Sequence, residues 1–165
     1  MIRLRMQEVL HKLAIADLQR PHSFAAERIG FLCCRQASTR SGVLLLAYRY
    51  EPIDDDQYVP DEAVGARFDS TAIRFGMQLA LTEGAAILHV HMHSHHGVPR
   101  LSRVDEREMA ALMPCFVNVC PDKIHGALVV SADRACARMW GPTYPNNGVQ
   151  IDRITVVGTG VGVLS

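Results

Sequence analysis

Five of the eight histidines fall within residues 88–106, LHVHMHSHHGVPRLSRVDE. His89, His91, His93 and His95 occupy every second position. Alternate side chains of a strand share one face, so neighbouring imidazoles there can hold one ion from the same side. Asp105 follows and adds a carboxylate, a third ligand type suited to zinc. Ser102 is a good helix N-cap, which would set Asp105 in the first turn of a helix. The loop HHGVPRL would then fold that turn back onto the strand. Two imidazoles and one carboxylate leave a fourth zinc position open to water, the arrangement of a catalytic rather than a structural site. A single strand histidine is usually a core or surface residue, but burying several imidazoles without partners costs free energy. Alternation and ligand type together therefore point to metal binding over a purely structural role.

A hydrolytic metal site also needs a group that takes a proton from water. Asp54, Asp55, Asp56, Asp61 and Glu62 lie in a polar loop and read as solvated. Glu27 instead heads an apolar run, with Ile29, Gly30, Phe31 and Leu32 after it. Taken alone, it fits a flanking residue as well as one placed for chemistry.

The elements that must position these groups follow from periodicity and breakers. A short strand is expected at 2–4. A helix follows from Met6, with Val9, Leu10, Leu13, Ala16 and Leu18 as its apolar residues, and Pro21 stops it. Residues 25–35 and 42–50 read as strands joined by the polar turn QASTRS. Residues 69–83 read as a helix capped by Asp69 or Ser70, with Ala72, Phe75, Leu79 and Ala80 on one face and Gly84 as its break. A buried strand at 85–93 carries the histidines, and a short helix spans 102–112. Strands are expected at 126–131 and 135–140, GPTYPNNG reads as a loop, and RITVVGTG adds a further strand. The order predicts a single α/β (α+β) domain.

Composition bounds the rest. A chain of 165 residues, 48% hydrophobic and 21% charged, can bury a core without staples. Its zero formal net charge and scattered basic residues argue against nucleic acid or an anionic membrane as a partner. The five cysteines are odd in number and form no CxxC pair. Cys33 and Cys34 are adjacent in an apolar run, so one faces each side of a strand, as reduced core residues. Charges interrupt the first residues, so no signal peptide is expected. No apolar stretch is long enough to span a bilayer, and the expected location is cytoplasmic.

Glu27 in ERIGFL, the histidine series and SRVD at 102–105 together resemble the JAMM metalloproteases, also called MPN or JAB domains. That family's pattern is a strand Glu, then His-x-His, a short loop and Ser-x-x-Asp. The helix with EVLHKL and the later HGALVVSADRACARMW also look similar, so the resemblance spans nearly the whole chain. It implies a mixed sheet curved around and flanked by helices, with Zn2+ held by two histidines and Asp105. It also implies Glu27 as general base and Ser102 as a stabiliser of the tetrahedral oxyanion, a role compatible with capping.

The spacing departs from the pattern in one respect. The family's second histidine stands eleven positions before the aspartate, and here that position is Ser94. The pair is therefore His93 with His95 or His91 with His93. The second choice lengthens the connecting loop, the easier change. The HxHxHxHxG variant resembles prokaryotic members that occur with ubiquitin-like proteins and their activating and conjugating enzymes. The resemblance implies hydrolysis of peptide or isopeptide bonds after the C-terminal glycine of such a protein, with those proteins as partners. Two other readings stand beside it: an amidase acting on a sulfur-carrier protein or small molecule, and a catalytically silent scaffold of the same fold. Silent relatives lose the metal ligands, and this chain keeps them.

Overall fold

In chain order, the computed structural model contains β1 (Ile2–Gln7), α1 (Glu8–Leu18), β2 (Ile29–Thr39), β3 (Gly42–Pro52), α2 (Ser70–Glu83), β4 (Ala86–Met92), α3 (Arg103–Val119), β5 (His125–Val130), β6 (Ala135–Gly141), β7 (Tyr144–Gln150), β8 (Arg153–Val157) and β9 (Val161–Val163). A 3-10 turn at Asp55–Gln57 lies between β3 and α2. The structure describes residues 1–23, 25–61 and 65–165, and for 145–147 the backbone alone.

The nine strands form one sheet in the order β7-β6-β5-β4-β2-β3-β1-β8-β9. It is mixed: β1 runs parallel to β3 and β8, β4 runs parallel to β5, and the other pairs are antiparallel. The sheet curls far enough for Leu164, just past β9, to accept a hydrogen bond from Ala135 of β6 at 3.0 Å. The class is thus mixed α+β, as expected.

Each face of the sheet carries its own core. Leu4, Leu32, Leu45, Leu88, Val90 and Leu128 face α1, which contributes Ala14 and Leu18. Ile29, Phe31, Ile87 and Ala127 face α2 and α3, which contribute Leu79, Ala80, Met113 and Phe116. Cys33 belongs to the second core and Cys34 to the first, both buried and free, as strand alternation requires. Among the described residues, no helix is long and apolar enough to cross a membrane.

Several expected boundaries are corrected. β2 begins at Ile29 rather than 25 and runs to Thr39, so only Arg40 and Ser41 turn into β3. The first strand runs through Gln7, and the buried face of α1 is Ala14 and Leu18, with Val9 and Leu13 exposed. In α2, Gly76 joins Ala72, Leu79 and Ala80 on the buried face, and Phe75 is half-buried. α3 does not stop at 112 but continues past Pro114 to Val119. The segment GPTYPNNG is not a loop, because most of it enters β7, an end strand of the sheet. An end strand has one unpaired side, where a proline that cannot donate is tolerated.

Candidate metal centre

Strand alternation decides which face the histidines occupy. On β4, Leu88 and Val90 point to the α1 core, so His89 and His91 point the other way, beside Phe31 and Ile29 of β2. The antiparallel register pairs Phe31 with His89 and Ile29 with His91. Continued two residues beyond the ladder, it sets Glu27 opposite His93. His93 extends the line of β4 by donating its backbone N–H to Val130 at 2.9 Å. Nε2 of His93 stands 3.8 Å from Oε1 of Glu27.

Glu27 lies in a bend ahead of β2, not inside the strand as its flanking sequence suggests. Three fixtures hold the bend. The carbonyl of Gly65 accepts from the N–H groups of Ala26 and Glu27 at 2.8 and 2.9 Å. The buried guanidinium of Arg28 donates to the carbonyls of Arg20 and Pro21 and to the carboxylate of Asp55. The hydroxyl of Tyr58 accepts from the N–H of Ile29 at 2.7 Å. Asp55 is therefore an anchor for Arg28 rather than a purely solvated acid, and Asp61 pairs with Arg67 at 3.1 Å. Glu62 lies outside the described residues. Sequence reasoning missed Gly65, Arg28 and Tyr58, because their roles depend on tertiary contact and leave no local pattern.

Asp105 is placed by the start of α3. Ser102 is the N-cap, and its hydroxyl oxygen accepts from the N–H of Asp105 at 3.1 Å. The Asp105 carboxylate accepts from the N–H of Ser102 at 2.7 Å, completing a capping box. The same carboxylate oxygen lies 3.8 Å from Nε2 of His91. The loop between β4 and α3 is pinned to the β5–β6 turn. Gly97, at φ 89° where a side chain is disfavoured, donates to Asp133 at 2.8 Å and accepts from Ser131 at 2.7 Å.

The structure thus brings together Glu27, His91 and His93, whose ligand-capable atoms all lie within 4.8 Å of one another, with Asp105 attached through His91. It does not bring His95 to this group. That residue is exposed, and its Nδ1 lies 2.9 Å from the carbonyl of His96. Ser102 is exposed at the helix start, where the contact shown is its cap.

These residues suit a zinc ion. Both ring nitrogens of His91 are buried without a hydrogen-bond partner among the described residues, so a metal at Nε2 would satisfy one of them. Two ligands at ~2.1 Å in a tetrahedron stand roughly 3.4 Å apart, so the 3.8 Å between Nε2 of His91 and the Asp105 carboxylate needs closing by only tenths of an ångström. Burial lowers the proton affinity of His91 and His93, which favours the neutral rings that ligation requires. Burial first, and then the charge of Asp105, raises the Glu27 carboxyl above the usual carboxylate range.

A cleft of about 370 Å³ opens by the start of α3, lined by Val98, Leu101, Glu106, Cys136 and Arg138 among others. Arg138 and Glu106 face each other across it at 3.3 Å. His91 of β4, Val129 of β5 and Cys136 of β6 stand in one cross-strand row, so the cleft and the histidines share a sheet face.

No family model and no curated protein matches this chain. Among solved structures, the Trichoplax adhaerens STIL N-terminal domain is similar, with 13% sequence identity and a TM-score of 0.41 over 82% of this chain. The chain spans 40% of the length of that structure, and a likeness at this level carries no argument about function.

Proposed function

We propose that this chain is a zinc-dependent hydrolase of the JAMM (MPN/JAB) type, which cuts peptide or isopeptide bonds to process or deconjugate a ubiquitin-like protein. The observation that carries the proposal is the convergence of Glu27, His91 and His93 within 4.8 Å, with Asp105 3.8 Å from His91. These groups come from a bend before β2, the end of β4 and the first turn of α3. Shape or stability does not require two imidazoles and two carboxylates at one sheet end, whereas a hydrolytic zinc site has a use for all four, three as ligands and one as base. The assignment of the curled sheet and its helices to the MPN fold belongs to the same proposal.

Within it, His91, His93 and Asp105 hold the ion, and Ser102 orients the Asp105 carboxylate through its backbone N–H. A zinc ion held there acidifies water, lowering its pKa toward about 7. Glu27 accepts the proton on its carboxylate and returns it to the leaving amine, a task suited to a carboxyl raised by burial. The oxygen of Ser102 is occupied as an acceptor, and its hydrogen remains to donate to the oxyanion. The cleft by the start of α3 receives the chain that flanks the scissile bond.

The test is Glu27→Gln, assayed on ubiquitin-like proteins carrying a C-terminal extension. Zinc content should stay near wild type, and turnover should fall by a factor on the order of a hundred or more. Wild-type protein without bound zinc, or a Gln variant that cleaves normally, would overturn the proposal. Cleavage of small amides but no protein extension would redirect it to an amidase.

A further inference from the structure

Of the alternating series, His91 and His93 meet Glu27 and His95 faces solvent, while His89 does neither. It is 4% exposed and sits at the inner end of the row. Its ring stacks on Phe68 at 5.7 Å and meets Phe31 edge-on at 6.5 Å, an apolar nest that a phenylalanine would suit. Yet among the described residues neither of its nitrogens has a hydrogen-bond partner. Leaving a buried polar group unpaired is unfavourable, so an imidazole here calls for a polar neighbour. That neighbour is at hand. The His91 ring lies 5.6 Å away, centroid to centroid, and both of its nitrogens are also buried and without a hydrogen-bond partner among the described residues.

The two rings have complementary needs. Nε2 of His91 faces Asp105, the ligand side, and Nδ1 is the nitrogen left over. A histidine that binds a metal through one nitrogen usually donates its other N–H to a carboxylate, a carbonyl or a water, which fixes tautomer and ring angle. Among the described residues no protein group accepts from Nδ1 of His91. A neutral imidazole offers one acceptor nitrogen, and two such rings flank His91: His93 at 5.1 Å, already assigned to the metal, and His89 at 5.6 Å, which is free for the task.

We propose that His89 is a positioning residue for His91: it accepts the Nδ1–H of His91, directly after a small ring rotation or through one buried water, and so holds Nε2 unprotonated and aimed at the metal. The inference rests on the zinc reading. It assigns the third histidine of the row to shaping a ligand rather than to binding the ion. It also explains why a position suited to packing carries a group that packing alone would not select.

The experiment uses the full chain with His89→Phe and His89→Gln. Zinc affinity is read by competition with a chromophoric chelator, ligand geometry by the visible spectrum of the Co2+-loaded protein, and folding by thermal melts of the metal-free form. His89→Phe should melt close to wild type, because it keeps the ring packing and, although it takes the acceptor from Nδ1–H of His91, it also removes the remaining buried N–H of His89. It should bind zinc roughly tenfold to a hundredfold more weakly, with a shifted Co2+ spectrum. His89→Gln retains a donor and an acceptor and should recover most of the affinity. Wild-type affinity and spectrum in His89→Phe would overturn the proposal. So would equal losses in both variants that track lowered melting temperatures, since packing alone would then account for them. Failure of wild-type protein to bind either metal would instead sink the zinc reading on which this one stands.

Discussion

The Oε1 of Glu27 stands 3.8 Å from the Nε2 of His93 because one antiparallel register, which sets Ile29 against His91, also carries the residues just beyond the ladder to the same sheet end. Gly65 walls the other side of that carboxylate. A Cβ built on Gly65 would lie 2.8 Å from Oε2 of Glu27 and 2.9 Å from its Cδ.

Gly65→Ala therefore tests whether the carboxylate position matters. The atom that must yield is the end of a flexible side chain, so the fold should survive and the thermal midpoint should barely move. Misplacing a reacting group by about 1 Å can cost on the order of a hundredfold in rate. Turnover on a cleavable ubiquitin-like fusion should fall by roughly tenfold or more, with zinc content retained. Unchanged kcat/KM would show that the carboxylate has room to act from elsewhere.

The choice between histidine pairs is open to direct measurement. His91 and His93 share the cluster with Glu27, and His91 lies against Asp105, while His95 is exposed. Elemental analysis of untagged protein should find about one zinc per chain for a single catalytic site. His91→Ala and His93→Ala should abolish it, and His95→Ala should retain it. Zinc loss in His95→Ala with retention in His91→Ala would reverse the register.

What the sequence made legible was whatever depends on local period. Alternation put His89, His91 and His93 on one face and split Cys33 from Cys34, because a strand repeats every two residues. The Ser102 cap and the position of Asp105 followed from helix-start chemistry within four residues. The pairing of Glu27 with His93 was not derivable from the residues, since it requires the β2–β4 register and a bend held by Gly65, Arg28 and Tyr58. The Pro- and Asn-rich segment misled for a related reason. Its residues favour turns locally, yet pairing of Gly141 with Tyr144 and of Met139 with Val149 makes a strand of it. The helix expected to end at 112 likewise continues, past Pro114, because Met113 and Phe116 are buried in the core.

Ser102 has a structural role in its cap and a proposed chemical one, and two substitutions separate them. Ser102→Ala removes the cap and should cost about 1 kcal/mol, whereas Ser102→Gly should cost only a few tenths. Both remove the hydroxyl. If it donates to the oxyanion, both variants should lose a similar factor in kcat, on the order of a hundred or more. Thermal melts and single-substrate kinetics on the pair decide the matter. Near-normal turnover in Ser102→Gly would leave Ser102 as a helix cap alone.

His125 is fully buried away from the proposed ligands, with Phe116 beside it. Its Nδ1 accepts from the N–H of Ile87 at 3.2 Å, which leaves Nε2–H to donate to the carbonyl of Cys120 at 3.3 Å. Protonation would place a charge in the core and remove the acceptor that Ile87 uses. Burial pushes this imidazole down to about 4, against an ordinary value near 6.5. Between those values the unfolded chain carries a proton that the folded chain lacks, so stability rises with pH across that window. The contribution is fully present above about 6.5 and is lost as pH falls toward the folded value, at up to about 1.4 kcal/mol per pH unit for the one group. Denaturant melts of the metal-free protein between pH 7.5 and 4 should show this slope together with those of other buried histidines. His125→Asn keeps an acceptor for Ile87 but does not titrate, so its profile should be flatter over the same range. Parallel profiles for the two proteins would mean that His125 either charges without cost or is already protonated when folded.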